Sequence, residues 1–189
     1  MNDKELLNLI KSRRSIRKFK DISLKEEDLK DLIEAGIYAP SGSNTQCYRF
    51  IIITNKEDID FLAKKKIKIV GNSKAIILVI ADLDSCPYLK SNRKEIFDKL
   101  PYQDCAIAMG NIILLAEAKK IASCIIHLSK HWYSYKEIMK RFNLNSRYEL
   151  QGLIMLGYSD KKEDYQTATH AGRLIKRRKL NQYLLEVRK

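Results

Sequence analysis

No apolar run in this 189-residue chain reaches the ~18–20 residues that a membrane-spanning helix needs. The longest candidate, residues 106–116, is interrupted by Gly110 and Asn111 and flanked by charge. No repeat, low-complexity block or Gly/Ser linker divides the chain, so a single compact domain over residues 1–189 is expected. The four cysteines, Cys47, Cys86, Cys105 and Cys124, are widely spaced, with no C-x-x-C and no Cys/His pair at zinc spacing; a structural zinc site is not expected. His127, His131 and His170 are the only histidines. The first two are four residues apart, but Ile125 and Ile126 ahead of them read as strand, so no metal site is expected there either. No G-x-G-x-x-G or Walker sequence is present, which removes the common glycine-rich phosphate cradles. The opening residues, Met1-Asn2-Asp3-Lys4-Glu5, carry no secretory pattern, so a reducing cytoplasm with free thiols is the expectation.

What the chain has in excess is positive charge. Lysine and arginine number 36 against 23 acidic residues, a formal net charge of +13, and hydrophobic residues make up 45%. That apolar fraction can build a core without staples and rules out a wholly disordered chain. The charge admits two readings. One is a surface for nucleic acid or another polyanion. The other is a lysine-rich composition with no binding role, since 25 of the 36 cations are lysine.

Apolar spacing predicts a short helix over residues 3–11, with Leu6, Leu7 and Ile10 on one side. Ser23-Leu24-Lys25-Glu26 spells a capping box, and a helix carrying Leu29, Leu32, Ile33 and Ile37 should follow until Pro40 stops it. Residues 48–54 read as a strand and Asn55 as the cap of a short helix. Residues 75–81 form a continuous apolar run, suited to a strand buried on both faces. Residues 82–100 resist assignment beyond a short helix near 93–100. Pro101 can open a helix over residues 102–119. That helix is apolar almost all round and so buried on several sides, for which a dimer interface is one means. Residues 121–128 predict a strand. Ser134-Tyr135-Lys136-Glu137 is a second capping box with a helix to about Phe142, and residues 149–158 predict the last strand. The mixture, without strict βαβ order, indicates an α+β or mixed α/β domain.

Three segments could carry chemistry. Arg13-Arg14-Ser15-Ile16-Arg17-Lys18-Phe19 gathers arginines around a hydroxyl, suited to a phosphate, or is a solvated basic turn. Ala39-Pro40-Ser41-Gly42-Ser43-Asn44-Thr45-Gln46 offers small hydrogen-bonding side chains that could line a ligand, or is an ordinary turn. Lys176-Arg177-Arg178-Lys179 could join the first cluster on one phosphate, or is charged surface.

In order, R-R-S-x-R-x-F, A-P-S-x-x-N-x-Q, then Q-D-x-A-x-A-x-x-N at residues 103–111, then Leu156-Gly157-Tyr158 and a basic tail resemble the nitroreductase family of FMN flavoproteins, over nearly the whole chain. The resemblance implies an α+β fold with a mixed sheet flanked by helices. It implies a homodimer with C-terminal tail exchange and two FMN molecules at the dimer interface. It implies that Arg13 and Ser15 contact the FMN phosphate, that Arg14 supports the same loop, and that Arg177 or Arg178 reaches the phosphate from the tail. Arg17 would lie near the pyrimidine end of the flavin, where a cation favours the N1 anion of the reduced ring. Pro40, Ser41, Ser43, Asn44 and Gln46 would approach the flavin across the interface. A backbone N–H around Ile126, His127 and Leu128 would meet flavin N5.

The implied activity is ping-pong hydride transfer from NAD(P)H through FMN to a small oxidised acceptor such as a nitroaromatic or quinone. A specialised reaction on the same fold (dehalogenation, enoyl or azoline redox, flavin chemistry) is the alternative, and a polyanion-binding protein the third reading. Neither nucleic acid nor membrane is an expected partner. The chain departs from the family pattern at Gln46-Cys47-Tyr48, where Q-P-W is common, and in lacking glycine around residues 126–128. His127 is either a proton donor to the acceptor or a packed polar residue. Cys47 and Cys124 read as core thiols. Residues 86–100 fall where some members carry a lid over the ring.

Overall fold

The structure is a computed structural model. It describes residues 1–65, 67–92, 94–128, 130, 131, 134–160, 167–170 and 173–176. In chain order the elements are α1 (Asp3–Ser12), α2 (Glu26–Ile37), β1 (Tyr48–Ile53), α3 (Lys56–Lys64), β2 (Ala75–Asp82), α4 (Lys94–Phe97), α5 (Leu100–Ala118), β3 (Ala122–His127), α6 (Tyr135–Arg141), β4 (Tyr148–Gly157), β5 (Thr167–His170) and β6 (Arg173–Lys176).

The apolar run of β2 decides the architecture. Every residue of it is buried, so both faces of the strand need cover. Ile77, Val79 and Ala81 enter one core with Leu29 and Leu32 of α2 and Cys105, Ala108, Met109, Ile112 and Ala116 of α5. Ile76, Leu78 and Ile80 enter a second core with Ile59 and Leu62 of α3, Val70, and Ile138 of α6. Each such aliphatic side chain contributes about 1.5–3 kcal/mol on full burial. The sheet is therefore a middle layer between two helical layers, the α+β class read from the sequence.

The strand order is β1-β2-β4-β3. All three pairings are antiparallel, running from Tyr48↔Ala81, Ala75↔Leu156 and Ala122↔Gly157. The sheet expected to be mixed has, among the described residues, one parallel component: a single bridge between Ser15 and Ser123. β5 and β6 pair separately with each other.

Local signals were read with mixed success. Asn55 caps α3 by accepting from Asp58 N–H, and Pro101 sits in the first turn of α5. The two expected capping boxes do not form. α2 begins only at Glu26, with Lys25 as an N-cap that gives no side-chain bond; its first turn relies on Glu26, Glu27 and Asp28, whose charges suit the helix N-terminus. Ser134 does precede α6, but in a helical conformation (φ −86°, ψ −2°) and with no side-chain bond to the cap. The capping box that exists is Asn2 with Glu5, ahead of α1.

Two of the sequence motifs meet at Gly157. A Cβ built there would lie 2.8 Å from Cβ, Cγ and Cδ1 of Phe19, and Lys20 N–H donates to Tyr158 O at 2.7 Å. The glycine of L-G-Y is the seat for the phenylalanine that ends R-R-S-x-R-x-F. Gly157→Ala should therefore destabilise the protein by about 1–3 kcal/mol, as overpacking against a ring does. Denaturant unfolding checks this, and an unchanged midpoint would remove the packing role.

Candidate functional site

The first arginine segment lies along the β3 edge. Ser12, the last residue of α1, donates to Glu117 Oε1 at 2.7 Å. The chain then runs beside β3, where Ile16 N–H donates to Ser123 O at 2.9 Å. Ile16 is buried, which turns its neighbours outward: Arg13, Arg14 and Ser15 are half-buried and Arg17 exposed. Arg14 donates to Arg13 O, and Arg17 Nη1 to Ser15 O at 3.3 Å. Ser15 and Arg17 also meet the Cys124 thiol, and Arg13 is near enough for its charge to act on it. Burial nonetheless dominates and raises the Cys124 pKa. At the C-terminal end of β3, Ile126 is half-buried, Leu128 buried and His127 exposed within the one chain.

The second segment precedes β1, at the opposite edge of the sheet. Pro40, Ser43, Asn44 and Gln46 are exposed and Ser41 is half-buried. Three of its residues are left-handed: Ser43 (φ 50°), Asn44 (φ 55°) and Gln46 (φ 48°). Outside glycine, that conformation costs roughly 1–2 kcal/mol per residue, less for asparagine. Such strain persists only where the surroundings over-determine it. Here Ser41 Oγ accepts from Gln46 N–H at 2.9 Å, and Gln46 Nε2 donates to Asn44 Oδ1 at 3.0 Å. Gly42 N–H donates to Asp104 Oδ1 at 3.0 Å and Thr45 Oγ1 to Asp104 Oδ2 at 3.2 Å. From the 3-10 turn Pro87–Lys90, Tyr88 hydroxyl bonds Ser43 Oγ at 2.8 Å while its ring packs on Phe97, centroids 4.6 Å apart.

Arg49 holds the exit of this loop, donating to Gln46 O and Tyr48 O at 2.8 and 2.9 Å. Its other nitrogen reaches Asp82 at 2.8 Å. Asp82 is fully buried at the end of β2 and takes a fork from Arg147, Nε at 2.7 Å and Nη2 at 2.6 Å. The Arg147 hydrogen bonds, with those of Ser85 and the Arg49 charge, outweigh burial and hold Asp82 at a pKa of about 2. Beneath the loop lie Cys47, Cys86 and Cys105, all buried and free. The hydrogen bond to Cys105 and burial push the Cys47 thiol far above its ordinary range, and burial pushes Cys86 to about 12. The Cys47 and Cys86 thiols stay protonated and are core groups, not nucleophiles.

Three strand spacings of ~4.8 Å, about 14 Å, separate the β1 edge from the β3 edge. Within one chain the arginine arm and the Ser/Asn loop therefore do not form one site. Arg177 and Arg178 lie outside the described residues. Asp104, Arg49, Asp82, Tyr88 and Cys124 were not picked out from the sequence as site residues. Asp104 had a readable signal: it is a lone carboxylate in an apolar helix, inside the Q-D-x-A motif. Among the described residues no group of three or more His, Cys, Asp or Glu could hold a metal ion, and no helix is long and apolar enough to cross a membrane.

The family model of the nitroreductase family matches residues 10–70 and 63–158. A protein of Archaeoglobus fulgidus, provisionally named NADH dehydrogenase/NAD(P)H nitroreductase, is 28% identical over 170 residues, covering 87% of this chain and 91% of that protein. Among solved structures, a provisionally named nitroreductase of Desulfovibrio desulfuricans, in complex with FMN, aligns over 100% of this chain and 99% of its own with a TM-score of 0.76 and 27% identity. A protein of Parabacteroides distasonis aligns over 98% of both chains with a TM-score of 0.78; at 22% identity its likeness is one of fold.

The Asp82 ion pairs carry a pH signature. A carboxylate whose folded pKa lies below its unfolded value adds stability that is fully present above about pH 4 and lost as the pH falls toward 2. Asp82→Asn should lower stability at pH 7 by on the order of 1–2 kcal/mol, the guanidiniums being half-exposed. It should also flatten the fall in stability between pH 4 and pH 2. Urea unfolding across that range measures both, and parallel curves would remove the role assigned to Asp82.

Proposed function

The chain belongs to the nitroreductase family, and from that premise we propose that it is a single-domain, FMN-dependent NAD(P)H oxidoreductase acting as a homodimer. The observation that carries this reading is the placement of Arg13, Ser15 and Arg17 along the β3 edge, where Ser15 bridges Ser123 and Ile16 N–H bonds Ser123 O, leading to the strand end at Ile126, His127 and Leu128. The residues fit the group: guanidiniums and a hydroxyl for a phosphate, and a strained polar loop for a ring.

FMN, when bound, supplies the two-electron chemistry that links NAD(P)H to a small acceptor such as a nitroaromatic or quinone in a ping-pong sequence. The chain's own residues bind and orient. Arg13 and Ser15 would hold the phosphate, Arg14 bonds the Arg13 carbonyl and would brace it, and Arg177 or Arg178 would reach the same phosphate by family likeness. Arg17 supplies the cation that favours negative charge on the reduced ring. A backbone N–H at residues 126–128 would meet flavin N5. His127 is exposed at that strand end and is the candidate to pass a proton to the acceptor.

The homodimer reading rests on the separation of arm and loop, which need a second copy to meet: Pro40, Ser41, Ser43, Asn44 and Gln46 of one chain would face the flavin held by the other. Exposed Leu6, Leu7 and Ile10 of α1, Ile37 of α2 and Ile107 of α5 supply apolar surface for the contact. Ile33, Ile37, Phe50 and Ile52 line a groove beside β1. The partner's tail, with Leu180, Leu184, Leu185 and Val187, is proposed to cover it. Four buried free cysteines support a reducing, cytoplasmic setting. The departures at Cys47 and Tyr48 and the glycine-free turn at 126–128 favour, as the second reading, a specialised reaction on the same cofactor.

Protein purified from cells should be yellow, with about one FMN per chain. Colourless protein that takes up no added FMN would end the proposal. Arg13→Ala should weaken FMN binding by about tenfold or more, a charge-assisted bond being worth roughly 1.5–3 kcal/mol; Arg17→Ala should chiefly lower the flavin midpoint potential. Flavin that is bound yet reduced by neither NADH nor NADPH in stopped flow would move the assignment to the specialised reading. Ile107→Glu should yield monomers that lose flavin, measured by sedimentation and absorbance; dimers with full flavin content would place the interface elsewhere.

A further inference from the structure

We propose that Asp104 is the positioning residue that sets the ligand-facing conformation of the loop at residues 41–46, an inference that rests on reading that loop as a contact of FMN. Asp104 is 2% exposed, on the second turn of α5, and all of its bonding partners are donors. Its Oδ1 takes Gly42 N–H; its Oδ2 takes the Thr45 hydroxyl and, at 3.7 Å, the Cys47 thiol. An ionised carboxylate is the side chain that only accepts. Any partial donor at this place, such as an amide, would meet at least one donor head-on.

The bonds close the loop in a particular way. Gly42 and Thr45 bracket the 3-10 turn Gly42–Asn44. Drawing both onto one carboxylate enforces the turn's own bonds, Asn44 N–H to Ser41 O and Thr45 N–H to Gly42 O. Gly42 is pressed onto Leu100, the first residue of α5, with no space for a side chain: a Cβ there would lie 2.3 Å from Leu100 Cδ1. With these groups tied inward, Ser43, Asn44 and Gln46 stand exposed, two of them in left-handed conformations that serine and glutamine do not choose unaided. Tyr88 and Arg49 brace the loop from outside, but each touches it at a single residue. Asp104 alone, among the described contacts, ties the turn's beginning, its end and the start of β1 to one helix.

The test compares Asp104→Ala, Asp104→Asn and Thr45→Val with the unaltered full-length chain. It reads the Kd of FMN, the midpoint potential of the bound flavin and the melting temperature of the FMN-free protein. Asp104→Ala should raise the FMN Kd about tenfold or more and shift the potential of the flavin that still binds. Asp104→Asn keeps one oxygen for Gly42 N–H but turns a donor toward the Thr45 hydroxyl and the Cys47 thiol, and should weaken FMN binding less than Asp104→Ala does. Thr45→Val preserves shape and removes one bond; it should weaken FMN severalfold while the melting temperature stays within a few degrees. Unchanged Kd and potential in Asp104→Ala would overturn the proposal whatever happens to the melting temperature. Should that variant fail to fold, unchanged values in Thr45→Val would overturn it. An unaltered chain that binds no FMN would sink the cofactor reading and this inference together, whereas normal FMN binding in the unaltered chain and its variants alike would sink this inference alone.

Discussion

Helix α5 spans the molecule as a strut, and the positions of both polar segments follow from its two ends. Asp104 near its start ties down the Ser/Asn loop, and Glu117 near its end takes the Ser12 hydroxyl just before the arginine arm. At 1.5 Å per residue, the thirteen residues between the two acids (117 − 104) span about 20 Å. That distance is fixed because the helix cannot slide. Cys105, Ala108, Met109, Ile112 and Ala116 are locked into the first core, and Lys119 pairs with Asp28 and Asp31 of α2 at 2.8 and 2.6 Å. Two segments far apart in sequence are thus held at a constant separation by one rigid element.

The same helix explains what was legible in the sequence. Strong periodic or continuous apolar signals, such as β2 and α5, reported the layers correctly, because burial decides them with no help from distant residues. Caps were less legible. Ser23 and Ser134 match the capping pattern in letters, yet where a helix starts depends on where its buried face meets the sheet. Leu29 and Leu32 set that phase for α2, and Ile138 for α6. The site was legible as a set of motifs and not as a geometry. Asp104 stood within a quoted motif without a role, since nothing local says that a helix residue will bond Gly42, sixty-two positions away. Arg49 and Arg147 were hidden for the same reason: their shared partner, Asp82, stands just past the apolar run 75–81, where the sequence resists assignment.

The positive charge divides along these lines. Among the described residues, Arg49 and Arg147 converge on Asp82, and Arg141 spans Glu57 and Asp58; these guanidiniums join elements of the fold. Many lysines pair at the surface, as Lys30 does with Glu26 and Lys56 with Asp60, in contacts worth about 0–1 kcal/mol. Arg13, Arg14 and Arg17 differ in clustering on one sheet edge beside a hydroxyl and a backbone bridge. A polyanion surface would be broad; this cluster is small and built into the β3 edge.

The layered core leads to a last consequence. With β2 buried on both faces, the middle of the sheet is closed to a ligand, and polar machinery is driven to its edges and ends. The arm occupies the β3 edge and the loop the β1 edge, about 14 Å apart by strand spacing and joined by the α5 strut. No rotation of side chains closes such a gap, and moving a backbone segment would expose Ile16 or unmake the Asp104 contacts. If both segments serve one ligand, the partner for each must come from another molecule. A two-fold axis is the simplest operation that brings every arm to a loop, since it pairs each edge with the other copy's opposite edge and makes two equivalent sites at once. On this argument the homodimer proposed above would complete the site, because burial of a single strand keeps the two segments at opposite edges of the sheet.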